Sequence, residues 1–299
     1  MAVLSDIKYK YNTAGMVTKI IYINIAVFLV LRIAGIFCFF GNIDPMIFLS
    51  WIELPSSFAM LATRPWTIIT YMFAHYDIFH ILLNMLVLYW FGKIFMDFFS
   101  PKHFCGLYIL GGIGGGLLYM IAYQLLPGLG NQSGWLIGAS ASIMAIVLAT
   151  AVRAPQYSLN LLFFGPVHLK WIAIFYVAID LLSIDGANMG GHISHLGGAM
   201  TGVLFTLLLN KGIDFTAPIN AVIDLFSSIG RPKNPFARKK VKINNNKKQP
   251  SSRPDTTSGM SKEDENTLDI ILDKIKKSGY TSLTEDEKRR LFQVSNKRS

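Results

Sequence analysis

A hydroxyl becomes a nucleophile when a base stands within hydrogen-bond reach and donors face the oxyanion that forms. Four polar residues in apolar surroundings have the types for that chemistry. They are Ser140 in "LIGASASIM", His195 in "GGHISHLGGAMTG", and His80 and Asn84 in "HYDIFHILLN". His80 and Asn84 are spaced i, i+4, so one helix face can aim both at a single oxygen. Ser140 would open a short helix, whose free backbone N–H groups and positive dipole end favour an anion. His195 could supply the base. No intramembrane carboxylate is placed by the sequence to orient it, so the expected unit is a Ser140–His195 dyad. Gly197, Gly198 and Gly202 beside His195 would let its helix approach that of Ser140 closely. His75, His192 and Ser142 are assigned structural or supporting roles: Ser142 is two positions from Ser140 and cannot share its helix face, whereas His192 and His195, three apart, can share one. There is no HExxH pattern for zinc and no pair of carboxylates within the apolar stretches.

The elements that must position these groups are apolar. The chain has 299 residues, 52% hydrophobic and only 15% charged, richer in apolar residues than an ordinary soluble protein. Residues 1–210 hold nine Lys/Arg and seven Asp/Glu, while residues 211–299 hold nineteen and eleven, so most of the net positive charge lies in the tail. Six apolar stretches fall at about 18–40, 67–96, 103–126, 138–152, 169–184 and 192–210. In the second, only the part from about Ile78 need cross. No signal-peptide cleavage pattern precedes the first. Cys38 and Cys105, in separate stretches, read as packing residues.

Basic residues set the orientation. Lys8, Lys10 and Lys19 precede span one, Lys93 and Lys102 separate spans two and three, and Arg153 and Lys170 separate four and five. The opposite segments hold Asp44, Glu53, Asp77, Asp180 and Asp185, with Arg64 as their cation. Both termini are therefore expected in the cytoplasm. Arg32, within span one, has no evident partner. The external segment 41–65, rich in Ile, Phe, Leu and Trp, is expected to lie in the interface as short helices. Spans two, four and six run the same way, and the basic residue ending each serves as a ruler. His80 lies thirteen residues before Lys93, Ser140 thirteen before Arg153, and His195 sixteen before Lys211. All three sit about 20–24 Å above the cytoplasmic boundary of a core about 30 Å thick. A Gly/Ala/Ser cluster alone is more often packing material, as Gly111–Gly116 is expected to be. Three helices delivering a hydroxyl, an imidazole and an amide to one layer point to a site.

Taken together, "HYDIFHILLN", "GASAS", "GGHISHLGGAMTG" and the preceding "RPWTIITYMFAH" resemble the rhomboid intramembrane serine proteases, over about residues 17–210. The resemblance implies an all-α polytopic fold of six transmembrane helices, with span four short and central and a cavity opening outward. It implies Ser140 as nucleophile, His195 as general base, His80 and Asn84 lining the oxyanion hole, and Gly198 and Gly202 as close-contact glycines. The implied substrates are single-pass membrane proteins cut near the outer face, with small residues beside the bond and helix-destabilising residues beyond it. No metal or cofactor is implied. Three positions depart from the family pattern: Ala141 stands where a Gly usually follows the serine, Met144 where an aromatic is frequent, and Thr67 where a basic residue often follows the external Trp.

Four segments follow: a cytoplasmic N-terminal segment (1–16), the membrane domain (17–210), an amphipathic segment with a basic linker (211–263), and a small helical appendage (264–299). Ile219, Val222, Ile223 and Phe226 share one helical face. Residues 231–254 carry nine Lys/Arg and no acid, which suits contact with anionic lipid headgroups. Nucleic acid is not expected as a partner, since a single aromatic, Phe236, lies among these charges. Leu268, Ile271, Leu272 and Ile275 form a helical face ended by Gly279, and Thr284 with Glu287 makes a capping-box pattern. "LDIILDKIKKSGYTSLTEDEKRRLF" resembles a C-terminal appendage of some bacterial rhomboid proteins, which implies a regulatory or partner-binding hairpin and a bacterial cytoplasmic membrane. Two other functions are weighed: a catalytically silent binder of membrane helices, and a transporter or proton relay using His75, His80, His192 and His195. A relay would distribute its polar groups through the bilayer, and these cluster at one depth.

Overall fold

The structure, a computed structural model, describes residues 2–129, 133–161, 165–186, 188–229, 270–271, 273–275 and 283–296. It comprises two compact units, Met1–Lys233 and Asn234–Ser299.

In the first unit a short helix α1 (Ala2–Thr13) leads into α2 (Met16–Phe40). Few residues of α2 are buried, among them Val17, Ile20, Asn24 and Leu31. Ile33, Ile36, Phe37, Phe39 and Phe40 are exposed on it, as a lipid-facing helix requires. The external segment carries α3 (Met46–Leu49), strand β1 (Leu54–Pro55) and α4 (Phe58–Thr63). Trp51 stacks on Trp66, and the Arg64 guanidinium lies 4.3 Å from the Trp51 ring. A short turn of helix α5 (Thr67–Thr70) and a 3₁₀ turn (Tyr71–Phe73) then precede α6 (Ile78–Phe98). The crossing helix thus begins at Ile78, where the Asp77 carboxylate caps the first turn by accepting from the His80 N–H. Arg32, unpaired in the sequence reading, donates to the Tyr76 carbonyl at 3.3 Å and lies over the Tyr76 ring.

Helix α7 (Pro101–Leu125) starts with Ser100 as its cap and Pro101 in its first turn. After strand β2 (Trp135–Leu136) comes α8 (Ser140–Arg153), then a hairpin of β3 (Ser158–Leu161) and β4 (Gly165–His168), α9 (Leu169–Leu182) and α10 (Met189–Asn210). Among the described residues four helices, α2, α6, α7 and α10, are long and apolar enough to cross a membrane; α8 is a shorter apolar helix of 14 residues, as is α9. The fold is an all-α polytopic membrane bundle with two small antiparallel ribbons. Every residue of α8 from Ala141 to Ala151 is buried, and α6, α7, α9 and α10 pack against it. The short helix is the centre of the bundle. Helix α11 (Ala217–Ile229) packs on α7, with Lys102 paired to Asp224, and leaves Val222, Ile223, Leu225 and Phe226 exposed.

In the second unit α12 (Glu285–Asn296) opens with the capping box read from the sequence. The Thr284 N–H donates to the Glu287 carboxylate at 2.7 Å, and the Glu287 N–H donates back to Thr284 Oγ1 at 3.4 Å. Lys274 pairs with Glu287 at 2.8 Å. The basic run 231–254 and the residues Leu268, Leu272 and Gly279 lie outside the described residues.

Candidate active site

Ser140 owes its position to backbone hydrogen bonds. Leu54 pairs with Leu136 and Pro55 with Trp135 in the β1–β2 ribbon, and the Ser56 N–H donates to the Gly134 carbonyl at 3.0 Å. The chain then turns at Gly138, whose φ of +125° suits a residue without Cβ. A Cβ there would also stand 2.6 Å from Cε1 and 2.8 Å from Nε2 of His80. The Gly138 N–H donates to the Tyr71 carbonyl at 3.0 Å. Helix α8 starts two residues later with Ser140 half-buried, and Ala139 at its cap makes no side-chain hydrogen bond to the first turn. The first-turn amides thus face the site without a competing side-chain acceptor at the cap.

Helix α6 supplies the neighbouring polar groups. His80 and Asn84 both border Gly138, with Asn84 Nδ2 3.8 Å from the position of its absent Cβ. His75, just before α6, is fully buried and close to His80, ring centroids 5.1 Å apart. Its Nε2 lies 3.0 Å from Asn84 Nδ2 and 3.4 Å from the Ala139 N–H. Accepting from both makes His75 a neutral Nδ1–H tautomer, which fixes the amide and leaves the second N–H of Asn84 for another acceptor. Burial, with repulsion from His80, holds His75 down to about 3, in keeping with a permanently neutral ring. The supporting role read for His75 is therefore specific: it orients Asn84.

Helix α10 closes the site through glycine contacts. Gly198 packs against the backbone of Ala141, the residue after Ser140, and Gly202 against the backbone of Ala145 one turn on. His195 precedes Gly198 by one turn, on the α8-facing side, and the register of Gly198 on Ala141 and Gly202 on Ala145 sets it opposite Gly138, just ahead of Ser140. His80 and His195 are close enough to interact electrostatically. Gly138, bordered by His80 and Asn84, and Ala141, bordered by Gly198 of the helix that carries His195, thus flank Ser140 on either side in the chain. Ala141, a departure from the family pattern, fits because its methyl faces Gly115 of α7. Ser142 points away from the site, toward Gly112 of α7.

One expectation is corrected. A carboxylate does orient His195. Asp180 on α9 is buried, and its Oδ1 lies 2.8 Å from Nδ1 of His195 and 2.8 Å from Nδ1 of His192. With Nδ1–H of His195 donating to Asp180, the lone pair of the ring sits on Nε2. Sequence reading counted Asp180 among the charges of an external segment. It lies two positions before the end of α9, and His192 and His195 lie in the first two turns of α10. Two antiparallel helices joined by so short a connection bring those positions side by side, and that was the signal available.

Residues 62–212, half of the chain, match the model of the rhomboid domain. The chain belongs to the rhomboid family. Rhomboid relatives include RHOMBOID-like protein 12, mitochondrial, of Arabidopsis thaliana, 34% identical over 49% of this chain and 47% of that protein. Presenilin-associated rhomboid-like protein A, mitochondrial, of Danio rerio is 30% identical over 44% of this chain and 34% of its own length. Rhomboid-like protein 16, chloroplastic, of Arabidopsis thaliana is 25% identical over 66% and 63%. The chain thus spans about half or less of the length of the first two. Residues 260–297 match a further model, a family of unknown function (DUF6576).

Proposed function

We propose that this rhomboid protein is an intramembrane serine endopeptidase. The observation that carries the reading is the hydrogen bond from His195 to buried Asp180, on a helix whose glycines abut the start of the Ser140 helix. Nε2 of His195 takes the proton of Ser140 as the hydroxyl attacks a carbonyl, and Asp180 stabilises the imidazolium that forms. The oxyanion receives the Ser140 N–H, the free N–H of Asn84 and the His80 ring. Asn84 is held for this by His75. The protonated His195 then passes its proton to the leaving amine, and water repeats the sequence to release the acyl group.

The substrates proposed are single-pass membrane proteins. A helix in lipid has its carbonyls hydrogen-bonded, so a substrate must unwind locally before Ser140 can reach one. Half-buried Ser140 near the outer face suits a segment entering from the bilayer. The location proposed is a bacterial cytoplasmic membrane with both termini inside, the orientation being supported by the Lys and Arg residues flanking the helices. No cofactor enters the reaction. Labelling of the purified protein with a fluorophosphonate tests the proposal. Wild type should label, and Ser140→Ala and His195→Ala should not; Asn84→Ala should label about 10²–10³ more slowly, as for loss of one oxyanion donor. A folded wild type that never labels favours a silent binder of membrane helices.

A further inference from the structure

Two imidazoles on one carboxylate oxygen exceed what orienting a single base requires. Asp180, His192 and His195 are the one group of three His, Cys, Asp or Glu side chains among the described residues whose donor atoms converge, all within 4.8 Å of one another. The histidines are spaced i, i+3 on α10, and the carboxylate comes from α9. Asp180 is 6% exposed at its side chain, whereas His192 and His195 are 19% and 21% exposed, so the imidazoles are the more accessible donors and the carboxylate the most enclosed. We infer that Asp180, His192 and His195 form an inhibitory site for a divalent transition metal, zinc by its donor chemistry. This rests on His195 being the base of the proposed protease.

Two imidazole nitrogens and one carboxylate oxygen are the donor set of three-ligand zinc sites that keep a position open. Zinc with donors at about 2.0–2.2 Å in tetrahedral array needs them about 3.3 Å apart. The two N···O separations are 2.8 Å, the length of hydrogen bonds. Opening each N···O pair by about 0.5 Å and bringing the two Nδ1 atoms, which lie within 4.8 Å of each other, to the same spacing turns a hydrogen-bonded cluster into a coordinating one. Zinc would replace the two Nδ1 protons, and water would take the fourth position.

The inhibition follows from tautomer chemistry. A neutral imidazole has one lone pair in the ring plane and one N–H. In the metal-free state Nδ1 of His195 carries the proton, given to Asp180, and Nε2 carries the lone pair that deprotonates Ser140. A metal on Nδ1 takes that lone-pair position, so the ring proton moves to Nε2. Nε2–H is a donor and cannot accept from Ser140. One ion thus silences the base without touching the serine, and no net proton is released. His192 makes the site: without it the metal would have two protein donors.

The full chain, purified in detergent with a tag lacking histidine, is titrated with Co²⁺ as a visible probe and with Zn²⁺ by calorimetry. The expected result is binding of one ion per chain with tetrahedral cobalt absorption, and at least ~10-fold weaker binding in His192→Gln and in Asp180→Asn. His192→Gln retains a donor for Asp180 and should label with fluorophosphonate like wild type. Labelling of wild type should be blocked by zinc and restored by a chelator, and labelling of His192→Gln should resist zinc at the same concentration. Metal binding that is unchanged in both variants, or absent at millimolar zinc, overturns the inference. Binding lost in both variants by a wild type that never labels would uphold the metal site and sink the protease reading instead.

Discussion

Gly198→Ala separates catalysis from stability in a way that tests the geometry. The added methyl would stand 2.8 Å from the carbonyl carbon and 3.0 Å from Cα of Ala141, and closer still to the carbonyl oxygen. Ordinary carbon contacts lie at about 3.5–4.0 Å. The obstructing atoms are backbone inside a helix, so no rotamer change relieves them, and α10 must move from α8 by about 1 Å. Overpacking of this kind costs about 1–3 kcal/mol, and exchanging Gly for Ala inside a helix returns up to about 1 kcal/mol. Net destabilisation is therefore about 0–3 kcal/mol, and the protein should still fold. A misplacement of about 1 Å between catalytic groups, by contrast, costs on the order of 100-fold in rate. Gly202→Ala pushes the same two helices apart one turn further on, against Ala145. The double substitution should cost less than the sum of the singles, because the gap opened by one methyl admits the other. The assay is the fluorophosphonate labelling rate beside unfolding in detergent, with Gly15→Ala, which meets nothing within 4 Å, as control. If Gly198→Ala labels within about threefold of wild type, His195 is not positioned by this backbone contact, and the reasoning fails.

Asp180→Asn should slow labelling by roughly 10²–10⁴ with little change in unfolding, because an amide can turn its N–H toward Nδ1 and stabilise the wrong tautomer of His195. Gly111→Ala alone should destabilise the bundle, since its methyl meets that of Ala145, and adding Ala145→Gly should restore stability by removing the obstructing atom. His75 ionises near 6.5 when unfolded and at about 3 when folded; its contribution is complete above about 6.5 and is lost as pH falls toward 3, at up to about 1.4 kcal/mol per pH unit. Unfolding measured at pH 7.5 and pH 5 should show this slope in wild type and a shallower one in His75→Gln. Glu287, held at about 2 by Lys274 and the capping donors of Thr284, stabilises α12 above about pH 4.5, and that stability fades toward pH 2; the helix signal of the appendage should fall over that window in wild type and already be reduced at pH 7 in Glu287→Gln.

Much of the bundle could be read from residue patterns, for identifiable reasons. Lipid demands long apolar helices, so α2, α6, α7 and α10 announce themselves by length, and Asp77 and Ser100 mark the starts of α6 and α7 by capping chemistry. Ser140, His80, Asn84 and His195 could be placed at one level because helical rise is constant and basic residues end each span. What stayed hidden depends on contacts between elements. The Arg32–Tyr76 contact and the pairing of Leu54 with Leu136 join segments far apart in sequence with no periodic signal. Asp180 was visible as a charge but was assigned by sign to an outer segment, and only the packing of α9 on α10 turns it toward His195. His75 looked like one more histidine until its Nε2 was found against Asn84.

Under the proposed protease reading, the enclosure of α8 has a consequence for where a substrate would be cut. Helices α2, α6, α7 and α10, of 21–25 residues, meet the lipid and settle the protein vertically in the membrane. The 14-residue α8 is shielded inside them, so the depth of Ser140 is a property of the protein. A substrate helix, however, takes its height from the bilayer and its own flanking residues. Two independent vertical scales therefore meet at the serine. Thickening the outer leaflet by about 1.5 Å, the rise of one residue, should slide the bond presented to Ser140 by one position along the substrate. For such a protease the cleavage position would become a readout of membrane thickness, and the same pair of proteins would yield different termini in different lipids.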